Sequence, residues 1–362
     1  MYSLSRAGGA ERMICQLAGD LGARGYSVFL FSWDQQDAAC FYPLDASVQW
    51  IRLGFKGGGL DKIRRTRDLY RKLNNHYIKI LIGFVMSADK TVYAAAKLAG
   101  IKLVVAERNS PSMYCYRYKA VKRWITFGLL HLADRITVQM QSFTTGYPVR
   151  LRQRIETIPN PVPVATSWAR PGIPNSAGRH IILVISRLDN VQKRIDCLLK
   201  AFALVARDHP TWDLRIIGDG PDYNALVDLA SDCKLGSRIC IEPARTNVFD
   251  VYATAHLFAI PSLWEGFPNA LAEALAHGLP AVGFADAGGV ADLISGSGGG
   301  WLASGIDDHQ SLALTLAQAM GDDDERSRRG ALATEGMAAF VPAKQFDRWD
   351  ALIRSMLQEP VH

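Results

Sequence analysis

Two glutamates stand eight positions apart in "PSLWEGFPNALAEALAHG", residues 261–278. Glu265 sits beside a Gly-Phe-Pro corner, and Glu273 interrupts an apolar run from Ala270 to Ala276. Pro268 suits the first position of a helix and Gly278 its stop, so Glu265 falls just outside the helix and Glu273 in its second turn. A carboxylate among apolar residues needs good hydrogen-bond donors, and sugar or ribose hydroxyls are such donors. The N–H groups of Asn269 and Ala270 at the helix start can meet a phosphate, whereas Pro268 has no N–H to give. The plain alternatives are an exposed helix residue for Glu273 and a turn carboxylate for Glu265.

Cations and glycines supply the rest of the candidate chemistry. Arg187 and Lys193 lie in "HIILVISRLDNVQKRIDCLL", between a strand and a helix. Ligands of open α/β sheets bind at the carboxyl ends of strands, and two cations beside a helix start make a diphosphate site. The alternative is a pair of solvated surface charges. Gly8 and Gly9 stand directly before a helix and can turn backbone N–H groups toward an anion; a plain helix-start loop is the other reading. In "IIGDGP", residues 216–221, Gly218 and Gly220 open a strand-to-helix turn, but the spacing is not that of a dinucleotide fingerprint.

The elements that must position these residues alternate. In the first half, "YSVFLFS", "IKILIGF", "IKLVVAE" and "ADRITVQ" are strand runs separated by helical segments. In the second, "HIILVIS", "WDLRIIGDG", "RICIEP", "LFAIPS" and "PAVGF" repeat the pattern, and "AKQFDRWDALIRSMLQ" closes the chain as an amphipathic helix. Such alternation implies parallel sheets covered by helices. Five prolines between residues 159 and 174 mark a linker. The expected domains are therefore 1–165 and 166–341, with a terminal helix over 342–362 returning toward the first domain. Only Met-Tyr-Ser-Leu precedes the first glycine loop, so the opening strand is either very short or lies ahead of Met1.

Composition narrows the classes. The chain has 362 residues, 49% hydrophobic and 21% charged, as an ordinary two-domain globular protein does. Residues 1–165 carry a net +13 and residues 166–362 a net −7, so the halves face different partners. No run of about 18 apolar residues offers a membrane span, and the start has no signal-peptide pattern, which gives a cytoplasmic location as the expectation. The six cysteines lack CxxC spacing and read as reduced core residues.

Six motifs together resemble the family 4 glycosyltransferases, retaining enzymes of the GT-B fold. They are "GGAER" at 8–12, "IPNPV" at 158–162, "SRLDNVQKRIDCLLKAF" at 186–202, "IIGDGP" at 216–221, "SLWEGFPNALAEALAHGLPAVG" at 262–283 and "DAGGVADLI" at 286–294. The resemblance implies an α/β architecture of two Rossmann-like domains facing each other across a cleft. It implies that Arg187 and Lys193 hold the donor diphosphate, that Glu273 accepts from the ribose of a nucleotide sugar, and that Glu265 faces the donor sugar. Asn269 and Ala270 would meet sugar or phosphate, Gly8 and Gly9 would approach from the other domain, and the Pro243–Arg245 loop would lie beside the base. The family needs no bound metal, because cations and helix dipoles take that electrostatic part. Two departures stand out. The interval from Arg187 to Lys193 is six residues where the family has five, which leaves open whether Lys193 or Arg194 points inward. The loop "VVAERNSPSM" lacks the histidine of many relatives, leaving Glu107, Arg108 or Asn109 in its place, and no catalytic base is named.

The acceptor is read from the basic first half. "FKGGGLDKIRRTRDLYRKL" holds seven Lys and Arg against two Asp, and "YCYRYKAVKRW" mixes cations with aromatics. That combination suits an anionic bilayer surface, although a solvated helix face is the plain alternative. Nucleic acid finds no other support in the chain. The expected function is transfer of a hexose or N-acetylhexosamine from a nucleotide diphosphate sugar, UDP favoured over GDP, to a polyprenyl-diphosphate-linked saccharide at the inner membrane face. The alternatives are a sugar-nucleotide epimerase of related shape and a non-catalytic sugar-nucleotide-binding subunit.

Overall fold

The computed structural model describes residues 1–5, 8–54, 61–245 and 247–359. The chain divides into two compact units, Met1–Pro161 with Pro342–His362, and Val162–Val341. The first boundary thus falls at Pro161 and not at 165, inside the proline-rich segment.

All strand pairings in the first unit are parallel. β1 (Val28–Ser32) pairs with β2 (Val48–Arg52). A separate sheet runs in the order β3 (Ile80–Phe84), β4 (Lys102–Ala106), β5 (Arg135–Val138), β6 (Ile155–Thr157). β2 and β6 were not legible as strands: one alternates with polar residues at the surface, and the other is three residues long. Helix Gly9–Ala23 buries Met13, Ile14, Leu17 and Leu21 against β1. No strand precedes that helix among the described residues. Between β1 and β3 lies an apolar cavity of about 520 Å³, lined by Met1, Val28, Leu30, Ile80, Ile82 and Phe84. The terminal helix, Pro342–Gln358, completes this unit. Trp349 is fully buried and stacks on Phe84 at 6.1 Å. Tyr26 donates to Asp350 at 2.7 Å, Arg24 pairs with Asp347 at 2.8 Å, and Lys102 caps the helix end by donating to the carbonyls of Met356 and Glu359.

The second unit is one six-stranded parallel sheet in the order β12-β11-β10-β7-β8-β9. Its strands are β7 (His180–Ile185), β8 (Trp212–Ile217), β9 (Ile239–Glu242), β10 (Leu257–Ile260), β11 (Ala281–Phe284) and β12 (Gly300–Ala303). The chain winds outward from β7 to β9, then returns to the other side of β7 and winds out again. The order therefore reverses between β7 and β10, which is where such sheets open a crevice for a ligand. β12 hides in the sequence behind "GSGGG". Its Gly300 is required because a Cβ there would overlap the Ala281 carbonyl of the neighbouring strand.

Candidate functional site

The site is built on the two loops that leave β7 and β10. The loop after β7, residues 186–194, is held by backbone. Leu188 donates to Asp219 O at 2.9 Å and accepts from Asp222 N at 3.1 Å. This approach explains Gly218 and Gly220: a Cβ on either would overlap the Ser186 or Leu188 carbonyl. Those glycines serve loop against loop, the structural reading of "IIGDGP". Asn190 Oδ1 accepts from Ile195 N at 3.1 Å and so caps helix Ile195–Val205 from outside it.

Gln192 clips this loop to the one after β10. Its carbonyl accepts from Leu263 N at 2.8 Å, and its Nε2 donates to Trp264 O at 3.0 Å. The clip sets Lys193 against Glu265, with Nζ 2.5 Å from Oε1, while Ser262 Oγ donates to the same oxygen at 2.8 Å. Lys193 turns to Glu265, whereas Arg194 takes a left-handed backbone conformation (φ 49°) and pairs with Asp196 and Asp307. Arg187 stays half exposed, its guanidinium on Asp189 at 2.8 Å.

Helix Asn269–Ala276 follows Glu265 directly. Pro268 is its cap and not its first residue, with Asn269 and Ala270 opening the first turn, half-buried. Glu273 is 4% exposed, which excludes the solvated-helix reading, and Glu265 is 7% exposed. Glu273 Oε2 accepts from Tyr252 OH at 3.0 Å. Its carbonyl meets His277 Nδ1 at 2.8 Å, and the His277 ring lies 5.1 Å from that of Tyr252. Helix Gly288–Ser297 backs the Glu265 corner: Gly289 touches the Gly266 carbonyl so closely that a Cβ would overlap it.

Arg187, Lys193, Glu265, Asn269, Ala270 and Glu273 thus all belong to the loops and helix that follow β7 and β10, the two strands at the reversal point of the second unit's sheet. Gly8 and Gly9 belong to the first unit, as the extended N-cap and first residue of helix Gly9–Ala23, with the Glu11 carboxylate folded over Gly8. Arg6 and Ala7, which complete that loop, lie outside the described residues, as does Thr246 beyond the Pro243–Arg245 loop. Gln192, Tyr252 and Ser262 were missed by sequence reasoning. Ser262 lies three residues from Glu265 and was findable; Tyr252 is brought in by tertiary packing alone.

In the first unit, Glu107 follows β4 and is 4% exposed. It accepts from Tyr114 OH and, at 3.0 Å, from Tyr147 OH. Burial raises its pKa above the usual carboxylate range, against the pull of those donors. Arg108 donates from Nη1 to Asn160 at 3.1 Å. Burial lowers its pKa to about 9, with Glu107 opposing.

Residues 7–166 match the family described as Glycosyltransferase Family 4, and residues 169–335 the family described as Glycosyl transferases group 1. Over 205 residues the chain is 31% identical to an exopolysaccharide phosphotransferase of Streptomyces coelicolor, covering 56% of this chain but only 21% of that protein. It is 22% identical to the amylovoran biosynthesis glycosyltransferase AmsD of Erwinia amylovora over 97% of both chains. A structure of Anabaena HepE with UDP-glucose superposes over 98% of both chains, with a TM-score of 0.77 and 16% identity, and shares its fold, the GT-B arrangement of two parallel-sheet domains. With both halves matched in order, the chain belongs to the family 4 glycosyltransferases.

Proposed function

We propose that the protein is a retaining glycosyltransferase that moves a hexose or N-acetylhexosamine from a UDP-sugar to a lipid-linked saccharide in polysaccharide assembly. The observation that carries the reading is the pair of buried carboxylates, Glu265 and Glu273, at the sheet's reversal point beside Lys193. A buried carboxylate next to a crevice is a hydroxyl acceptor in waiting. Glu273 takes the ribose hydroxyls, its Oε2 oriented by Tyr252. Glu265 takes hydroxyls of the sugar. Lys193 and Arg187 meet the diphosphate, assisted by the amino end of helix Asn269–Ala276. The carbon–oxygen bond to the diphosphate breaks with its electron pair on the phosphate, where these cations hold the charge. The acceptor hydroxyl oxygen forms the new bond, and its proton passes to the leaving phosphate.

UDP is named because the Anabaena neighbour of like fold is a UDP-glucose complex. The lipid-linked acceptor rests on the surface of the first unit. Helix Asp61–Asn75 exposes Ile63 beside Lys62, Arg64, Arg67, Arg71 and Lys72. Helix Ala120–Leu130 exposes Val121 and Trp124 beside Lys119 and Lys122. Apolar and basic side chains mixed in this way bind anionic bilayers peripherally. Arg65 lies over Trp33 at 5.3 Å and is less available, and residues 55–60 of this basic stretch lie outside the described residues. Among the described residues, no helix is long and apolar enough to cross a membrane.

The test is a thermal-shift screen against UDP- and GDP-sugars, followed by product analysis with a membrane extract. Sugar incorporated into an extractable lipid supports the reading. Turnover of the donor to an isomeric nucleotide sugar without acceptor favours the epimerase, and binding without any turnover favours a non-catalytic subunit. For the membrane, reversing Arg64, Arg67 and Arg71 to Glu should abolish co-sedimentation with phosphatidylglycerol vesicles; unaltered co-sedimentation refutes peripheral docking through this helix.

A further inference from the structure

Arg108 stands at the carboxyl end of β4, where an open parallel sheet presents residues to ligands. One corner of its guanidinium is fixed. Nη1 donates to Asn160 Oδ1 at 3.1 Å, and Gln139 Nε2 donates to the same oxygen at 3.0 Å, which orients the Asn160 amide. Its plane is fixed as well, by the ring of Phe84 at 4.4 Å and that of Trp349 at 5.5 Å. The opposite edge, Nε and Nη2, is buried and has no hydrogen-bond partner among the described residues. These two N–H groups form the fork that grips two oxygens of one oxyanion. The adjacent Glu107 acts on Arg108 through its charge, while its carboxylate is hydrogen-bonded by Tyr114 and Tyr147. Buried N–H groups of a rigidly held cation are costly to leave unpaired. A fork oriented by three surrounding side chains but closed on nothing is suited to a ligand. The net +13 of residues 1–165 draws anions to the same unit.

We propose that the Nε–Nη2 edge of Arg108 binds one oxyanionic group, a phosphate or a carboxylate, of the molecule taken by the first unit. Asn160 is then a positioning residue, which gives the "IPNPV" segment a use beyond linking the units. If the chain transfers a sugar to a lipid-linked saccharide, this anion belongs to the acceptor. The acceptor assignment rests on the proposed function; the anion site does not.

The experiment is calorimetric titration of the full chain with inorganic pyrophosphate and, separately, with glucuronate. It is done in an Arg187→Ala/Lys193→Ala background, so that the second unit's cations do not contribute. Binding of pyrophosphate alone identifies a phosphate, and of glucuronate alone a carboxylate. Arg108→Gln should weaken that binding at least tenfold, Asn160→Ala severalfold, and Arg108→Lys less than Arg108→Gln. Circular dichroism and unfolding curves establish that each variant is folded; Arg108→Met serves if Arg108→Gln is not. Binding of neither probe, or equal binding by folded Arg108→Gln, overturns the proposal. In wild-type Arg187 and Lys193, Arg108→Gln should raise the acceptor KM at least tenfold and leave UDP-sugar affinity unchanged. Failure of UDP-sugar binding in every variant would indict the glycosyltransferase reading and leave the titration result standing.

Discussion

Lys193 and Glu265 hold one another across two loops, with Nζ 2.5 Å from Oε1, and Ser262 shares the same carboxylate oxygen. Both side chains are largely withdrawn from solvent, 19% and 9% exposed. The cation proposed for the donor diphosphate and the carboxylate proposed for the donor sugar are therefore in direct contact. A buried pair is weak evidence for stability, but removing one partner strands the other, at a cost of about 3–5 kcal/mol. Lys193→Met should destabilise the second unit by about 3 kcal/mol, and the neutral double variant Lys193→Met/Glu265→Gln should recover most of it. Urea unfolding of the four proteins of this cycle measures it. Strictly additive losses would show that the pair is not coupled.

Glu265 and Glu273 should separate kinetically. Glu273→Gln removes an acceptor from the proposed ribose contact and should weaken UDP-sugar binding by about tenfold, or about 1.4 kcal/mol. Glu265→Ala should lower kcat by about a hundredfold while the donor dissociation constant changes little, since its contact matters as the sugar becomes electron-poor. Single-turnover kinetics with a membrane acceptor separate the two. Equal effects of both variants on kcat alone would contradict the division of roles.

Gly289 should be a positional determinant of the site. A Cβ there overlaps the Gly266 carbonyl, so Gly289→Ala must push the Glu265 corner away. Overpacking of this kind costs about 1–3 kcal/mol, and turnover should fall by more than tenfold. Gly296 lies near the other end of the same helix, and a Cβ added there meets nothing within 4 Å among the described residues. Gly296→Ala should therefore stabilise by about 0.4–1 kcal/mol with activity intact. Thermal denaturation and turnover of the two variants form a matched comparison.

The second unit should be acid-labile. His256 is buried at the start of β10: Ile181 N donates to its Nδ1 at 2.9 Å, and its Nε2 lies 2.9 Å from Ile173 O. Burial is the main reason its pKa drops from 6.5 to about 4, and His180 and Arg326 add to the shift. His180 stacks on Trp212 at 4.8 Å, and burial lowers its pKa too. A depressed histidine pKa means that the unfolded chain takes up the proton first. The stability is thus full above about pH 6.5 and is lost as pH falls toward 4. At pH 5 the His256 contribution lost is about 2 kcal/mol. His256→Gln keeps a donor and an acceptor without titrating, so its Tm should fall less than that of the wild type between pH 7 and pH 5. Parallel pH profiles for the two proteins would argue against His256.

The parts of the fold and site that were legible are those written in local chemistry. Glu265, Pro268 and Glu273 are close in sequence, so helix spacing and capping place them. The proline-rich segment marks the boundary because proline forbids both helix and central strand. What was illegible depends on contacts between distant residues. Gly300 looks like loop filler until the Ala281 carbonyl of the next strand is beside it. Tyr252 has no local signature, since its hydroxyl meets Glu273 only after β10 has crossed the sheet. The choice between Lys193 and Arg194 turns on a left-handed residue and on Gln192 reaching Trp264, neither of which spacing reveals.

The most direct test of the central claim is equilibrium binding of UDP-sugars by isothermal calorimetry to the wild type and to Glu273→Gln, with matched unfolding curves. A UDP-sugar should bind the wild type, and Glu273→Gln, equally folded, should bind it about tenfold more weakly. Equal affinity in the two proteins would contradict the assignment of helix Asn269–Ala276 to the nucleotide-sugar site.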